Sequence, residues 1–526
     1  MYRQCPTFLI ISYVRDNKKI AVNTVISYVR LLAIMALSLF STRYILLALG
    51  QTDFGLYNLI AGVVFLFSFI ANTMATTTQR FISFTMGKEK EIGKVRGVFY
   101  NSLALHLIIA ITVAIIIQIG GQLIIKYLLE IPYEKIDDAY FALATVTIGI
   151  VGTVITVPFE AVLMAHENIF FVSLCQLFNS IIKFVIALSV MAIESDRLRT
   201  YAVLIAIIPY IQFATEWLYC HRKYIETRFT ISKITDFSVI RHIGAFASWV
   251  MIGTTCGTIR QQGSSILLNM FFGIAINAAN GIATQVNGVL MQFSSSITTA
   301  IRPQLVKSAG EGDKDRMLSL TYIACKFPFI LTGILAVPLI VAMPTVLQLW
   351  LKNVPEYTVT FCRLLLISAV LNQSTIGMTV ALEAYGKVKL IHSVIGLSFL
   401  LVIPAGYILF LNGMPPGSVI FCIVINEAFA AISRLVIAKI QLGFSVWEYI
   451  KKVGIRCILI VSIAMVIDYV AWKYLPSDFI GLVIIGIITL IVFSILTYFL
   501  GLTKNERNKV NNIINKTKRH FIFYEK

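Results

Sequence analysis

Apolar residues fall in runs of about twenty along this chain, separated by short polar and charged stretches. A helix of that length crosses the hydrocarbon core of a bilayer. Fourteen such runs can be marked, at 22–49, 59–85, 98–125, 140–157, 170–193, 201–219, 245–271, 278–301, 327–349, 361–382, 390–410, 419–438, 455–471 and 479–500. The first two, joined by the turn Leu49-Gly50-Gln51-Thr52-Asp53-Phe54-Gly55-Leu56-Tyr57-Asn58, organise the rest. The pattern predicts an all-α, polytopic membrane fold of about 14 transmembrane helices.

Polar positions inside the runs recur at helical spacing. Asn23, Ser27, Arg30, Ser38 and Ser41 lie near one face of the first run, and Thr73, Thr76 and Arg80 near one face of the second. Ser173, Gln176, Ser180 and Lys183 follow the same rule in the fifth. Arg260 comes after Gly253 and Gly257, a small-residue pair suited to close helix packing. Six cations thus fall within or beside the first eight runs: Arg30, Arg43, Arg80, Lys183, Arg260 and Arg302. The membrane acids read from the sequence are Glu216, Glu383, Glu427 and Asp468.

A charge at the bilayer centre costs at least about 2.5–3.5 kcal/mol, so it turns towards protein or a watery cavity. Arg43, Arg80 and Arg302 sit near run ends, where snorkelling to the interface competes with a cavity role. Arg30, Lys183 and Arg260 lie deeper and favour the cavity, with structural ion pairing as the rival. Glu427 and Arg434, seven apart, share one helix face and suit a structural network. Glu216, Glu383 and Glu427 are candidate coupling acids, each of which could instead neutralise a neighbouring cation. An excess of fixed positive charge in a low-dielectric cavity selects an anion, and the guanidinium fork suits phosphate.

Composition agrees. The chain has 526 residues, 58% hydrophobic and only 13% charged, against about 25% charged in soluble domains. Its net charge of +18 is scattered over short loops, which argues for membrane topology and against nucleic acid. With the N-terminus in the cytoplasm, six of the 44 Lys and Arg residues fall in outer loops (Lys126, Lys135, Arg197, Arg199, Lys352 and Lys473) and 30 in inner segments. That bias predicts cytoplasmic N- and C-termini. The eight cysteines are dispersed, without a CxxC pair. A short apolar run at 8–14 is too brief for a span, and the basic tail 501–526 suits an anionic inner leaflet.

Ala75-Thr76-Thr77-Thr78-Gln79-Arg80 is echoed by Ile297-Thr298-Thr299-Ala300-Ile301-Arg302, and each is followed by a glycine-bearing charged turn. Two six-helix lobes in parallel repeat follow, with two helices added. The expected divisions are a cytoplasmic segment 1–21, an N-lobe 22–220, a linker 221–240, a C-lobe 241–440, two further spans within 441–500 and the tail 501–526.

Enzyme chemistry finds little support. No Walker A motif is present, and no loop is long enough to hold a soluble catalytic domain. Asp313-Lys314-Asp315 has the DxD form without the nucleotide-sugar domain that motif needs, so a solvated loop is expected. His166-Glu167 begins like a metalloprotease helix, but position 170 is Phe170. Neither a catalytic residue, a metal site nor a cofactor is expected.

Several stretches resemble bacterial polysaccharide-biosynthesis exporters of the Wzx type. They are the turn around Asp53-Phe54-Gly55-Leu56-Tyr57-Asn58, Thr78-Gln79-Arg80-Phe81-Ile82-Ser83, Pro158-Phe159-Glu160-Ala161, Asn269-Met270-Phe271-Phe272-Gly273 and Ala384-Tyr385-Gly386-Lys387. That family belongs to the multidrug/oligosaccharidyl-lipid/polysaccharide exporter (MOP) superfamily. The resemblance implies a flippase of a bacterial inner membrane, moving an undecaprenyl-diphosphate-linked oligosaccharide (an O-antigen, capsule or similar precursor) to the outer leaflet by alternating access. It implies diphosphate binding by cations of the cavity, among which Arg30, Arg80 and Arg260 occupy the expected spans. A polysaccharide polymerase or other assembly protein is the implied partner. The alternatives are a multidrug and toxin extrusion-type antiporter, whose cavity should be acidic, and an O-antigen polymerase or ligase, which needs a longer outer loop than 126–139.

Overall fold

The computed structural model describes residues 68–88, 92–127, 133–194, 196–228, 237–351, 354–503 and 506–508, with shorter stretches between 26 and 61. Arg43, the run at 8–14 and most of the basic tail lie outside the described residues.

Among the described residues the chain is helical and has no strand. In order come α1 (Tyr28–Ser38), α2 (Ser68–Lys88), α3 (Ile92–Tyr127), α4 (Ile136–Ala165), α5 (Ile169–Met191), α6 (Arg197–Lys223), α7 (Phe237–Glu311), α8 (Lys314–Leu351), α9 (Thr358–Tyr385), α10 (Val388–Leu411), α11 (Gly417–Leu442), α12 (Val446–Trp472) and α13 (Phe479–Gly501). Ten of the described helices are long and apolar enough to cross a membrane. Large apolar side chains such as Ile111, Leu397, Ile458 and Leu490 stay exposed along them, as lipid-facing positions do.

Two boundaries differ informatively from the sequence pattern. α7 runs for 75 residues through the seventh and eighth predicted runs, interrupted where Gly273 adopts φ 78° and ψ −175°. That backbone state is open to glycine and strained for other residues, so the predicted break survives as a kink. α4 continues past Pro158 to Ala165, eight residues beyond the predicted end at 157. Proline is tolerated inside membrane helices when neighbouring groups satisfy the freed backbone. The continuation carries Glu160 onto the same helix as the rest of the fourth run.

The chain divides into two compact units. The first comprises Met1–Thr255, Thr299–Met317 and Glu383–Lys389. α4 is its central helix, packed against α2, α3 and α6. Its core joins Ile117, Ala142, Leu143, Ala187 and Ala202, with a second cluster around Ile82, Phe99, Phe159 and Val162. The second comprises Cys256–Thr298, Leu318–Leu382 and Leu390–Lys526. Its cores gather Leu268, Ala336, Leu347, Phe361 and Val419, and Cys325, Phe444, Ile460 and Phe493. In the α12–α13 pair, buried Asp468 accepts a 2.5 Å hydrogen bond from the Thr489 hydroxyl. The seven described cysteines form no disulfide.

Candidate functional site

In the first unit, the polar stripe of α5 meets charged positions on α1, α4 and α6. Arg30 donates from Nη1 to Gln176 Oε1 (2.8 Å), and Gln176 Nε2 donates to Glu160 Oε1 (3.3 Å). One turn on, Asn179 Nδ2 donates to Gln212 Oε1 (2.6 Å), whose amide donates to Glu216 Oε1 (2.8 Å). Glu216 is fully buried, and its second oxygen has no hydrogen-bond partner. Lys183 stands four residues after Asn179 and lines a cavity of about 250 Å³ with Tyr57, Thr153, Pro209 and Gln212. Its ammonium has neither an ion pair nor a hydrogen bond among the described residues, and the side chain is exposed to that cavity. Glu160 and Gln212 were missed as site residues in the sequence. Reading Pro158 as a helix end placed Glu160 in a loop, whereas continued helical spacing would have set it in the membrane.

A second group, also within the first unit, forms on the turn between α9 and α10. Arg80 donates from Nε to the Glu383 carbonyl (3.1 Å) and from Nη2 to that of Ala384 (3.4 Å). Its guanidinium carbon lies 4.6–4.9 Å from the ring centres of Phe81, Phe84 and Phe246, within cation–π range. Arg302 donates to the Glu383 carboxylate at 2.8 Å. Gly386 takes φ +85°, and a Cβ there would stand 2.6 Å from Arg80 Nη2. Both arginines of the echoed Thr-to-Arg segments therefore end on one turn, Arg80 on its backbone carbonyls and Arg302 on the Glu383 carboxylate.

The second unit holds a third group. Arg260 donates to Glu427 Oε1 (2.8 Å) and Asn426 Oδ1 (2.9 Å), with its guanidinium carbon 3.9 Å from the Phe399 ring centre. Glu427 Oε2 accepts from Asn372 (2.9 Å), and Arg434 Nη2 lies 3.9 Å away. The shared face expected for Glu427 and Arg434 is thus realised as an ion-pair network. Removing one member of a buried pair typically costs about 3–5 kcal/mol, since it strands the other charge.

The two enzyme-like motifs take structural places. Asp313 accepts from the Arg316 amide (3.0 Å) and caps α8. His166 stacks on Tyr224 and bonds Glu226.

No protein-family model matches the chain, and no curated protein matches it. Solved structures do. A multidrug resistance MATE family transporter of the MOP superfamily, in an outward-facing conformation, superposes with a TM-score of 0.72 at 14% identity, over 81% of this chain and 96% of its own. A MOP superfamily transporter from Pyrococcus furiosus, described as having a binding pocket of reverse polarity that suggests a different function, gives 0.70 at 13% over the same shares. A MATE structure in a bent conformation gives 0.68 at 15%, again over 81% and 96%. At these identities the likeness is one of fold alone: over about four fifths of its length the chain is folded like these transporters.

Proposed function

We propose that this chain is a transporter that moves an undecaprenyl-diphosphate-linked oligosaccharide from the inner to the outer leaflet of a bacterial plasma membrane by alternating access. Its termini would lie in the cytoplasm, and a polysaccharide polymerase would act on what it delivers. The observation that carries this reading is Lys183, a cation without a protein partner among the described residues, open to a cavity inside a helical unit. A fixed charge attracts a ligand only insofar as the protein has not already neutralised it. Arg260 and Arg434 share the one carboxylate of Glu427, and Arg80 is held by backbone carbonyls while Arg302 takes the Glu383 carboxylate, so neither group neutralises each of its cations with an acid of its own. Such an excess in low dielectric favours phosphate or acidic sugar. The membrane potential assists outward movement of an anion by about 2.3 kcal/mol per charge per 100 mV. That a P. furiosus transporter of this fold is described with reversed pocket polarity supports reading cargo from the charges of each chain.

The test is mass spectrometry of lipid extracts from cells lacking this gene. Accumulated lipid-diphosphate oligosaccharide, reversed by wild type and not by Lys183→Ala, is the expected result. An unchanged lipid-linked pool in a strain without a second exporter would overturn the reading.

One observation favours a second reading, a multidrug antiporter. Around Lys183 the count is even: Arg30 and Lys183 stand with Glu160 and Glu216. A buried acid with a free oxygen suits proton coupling and cationic cargo. Drug efflux that depends on Glu216 and tolerates Lys183→Ala would establish that alternative.

A further inference from the structure

We infer that the outer face of α5 and α6 carries a docking groove for an anionic phospholipid of the surrounding leaflet. A cavity of about 750 Å³ opens there, lined by Phe171, Ala214, Leu218, Tyr219, Arg222 and Lys223. The stacked rings of Phe171 and Tyr219, 3.8 Å apart at 17°, belong to its wall. Asn168 Nδ2 anchors the Tyr219 hydroxyl at 2.8 Å. From Ala214 to Arg222 the groove follows α6 for about 12 Å at the ordinary helical rise, enough for the upper part of an acyl chain. Thr215 adds no free polar group to the lining, because its hydroxyl is turned onto the Ile211 carbonyl (2.8 Å).

At one end the character changes. Arg222 and Lys223 close the last turn of α6, both exposed. Neither has a carboxylate partner among the described residues, and Lys223 donates only to the Tyr219 hydroxyl (2.6 Å). The neighbouring acid Glu226 is buried and engaged by His166. The arrangement is an apolar channel with two uncompensated cations at its mouth, which is the complement of an acyl chain ending in a phosphate. Exposed Phe170, Leu174 and Trp217 on the same two helices mark this as a lipid-facing surface. Short of the two cations, the lining offers only the hydroxyls of Thr215 and Tyr219, both already engaged, so it suits an acyl chain and no sugar, and the occupant is a diacyl lipid of the leaflet. The inference needs only that the chain spans a membrane, and stands apart from the transport reading.

The test is native mass spectrometry of the full chain, delipidated in mild detergent and titrated with phosphatidylglycerol or phosphatidylethanolamine of matched acyl chains. Phosphatidylglycerol should bind preferentially, and Arg222→Ala with Lys223→Ala should weaken it at least about tenfold, the combined effect of two interfacial cations. Ala214→Trp, which fills the channel and leaves both cations, should weaken it as well. Water-soluble glycerol phosphate should not compete. Equal retention of the two lipids, or unchanged phosphatidylglycerol binding in the double variant, would overturn the site. Loss in the double variant with full binding by Ala214→Trp would reduce it to a surface charge patch and overturn the groove. Thermal unfolding of each variant without added lipid separates these outcomes from misfolding.

Discussion

Gly87 and Gly310 mark one crossing, at which the end of α2 and the end of α7 touch backbone to backbone. A Cβ on Gly87 would collide with the carbonyl oxygen of Lys307, and a Cβ on Gly310 with that of Phe84, while also standing 3.0 Å from the Lys88 nitrogen. The obstructing atoms are main chain in both cases and have no rotamer to escape into. Gly87→Ala and Gly310→Ala should therefore each destabilise by about 1–3 kcal/mol, the range of overpacking. The double variant should lose less than the sum, since one displacement relieves both clashes. Thermal unfolding in detergent reads this, and a neutral Gly87→Ala would show that the crossing is looser than described.

The Arg302–Glu383 pair gives a second prediction. Its members are mostly buried and 2.8 Å apart. Arg302→Ala should cost about 3–5 kcal/mol, because Glu383 would be left charged with its ion-pair partner gone. Arg302→Met combined with Glu383→Leu should recover much of that loss, as removing both charges also removes the desolvation cost. A double variant no more stable than Arg302→Ala would mean that Glu383 is held chiefly by other neighbours.

How much of this was legible beforehand depended on the range of the interaction. Helices followed from apolar runs, and the break at Gly273 from the gap between the runs at 245–271 and 278–301, because both are local. The echo of Arg80 in Arg302 was visible, but not that both reach Glu383, which lies far along the chain from each. For Arg260 the sequence left a cavity role and structural ion pairing as rivals, because its partner, Glu427, is 167 positions away and periodicity on one helix says nothing of the facing helix. Glu160 was lost to a local rule: proline ends helices in water, whereas in this fold α4 passes through Pro158.

Acid should act at the turn after α6. Burial pushes the Glu226 carboxyl up, but the hydrogen bond and charge of His166, with the charge of Arg96, outweigh it and hold the group below its ordinary value. A carboxyl lowered in the folded state contributes stability above its unfolded pKa of about 4.3, and that contribution is lost as the pH falls through the folded value. Glu226→Gln should therefore be less stable than wild type at neutral pH and lose less on acidification below about pH 4. Unfolding midpoints measured from pH 7 to 3 check this; parallel curves for the two proteins would remove Glu226 from the acid response.

Lys183 separates function from stability. Since it holds no partner among the described residues, truncating it strands no other charge, and Lys183→Ala should unfold within about 0.5 kcal/mol of wild type. Arg260→Ala should instead lower stability strongly, because Glu427 loses its close ion-pair partner and Asn426 Oδ1 its donor. If Lys183 meets an anionic cargo, Lys183→Ala should abolish surface glycan in a protein that remains inserted and stable, and Lys183→Arg should restore it by keeping the charge. Glycan blots beside unfolding curves for the three variants make the comparison. Full glycan display by Lys183→Ala would leave the cavity without a cation to hold a diphosphate, and attention would pass to Glu216 and a cationic cargo.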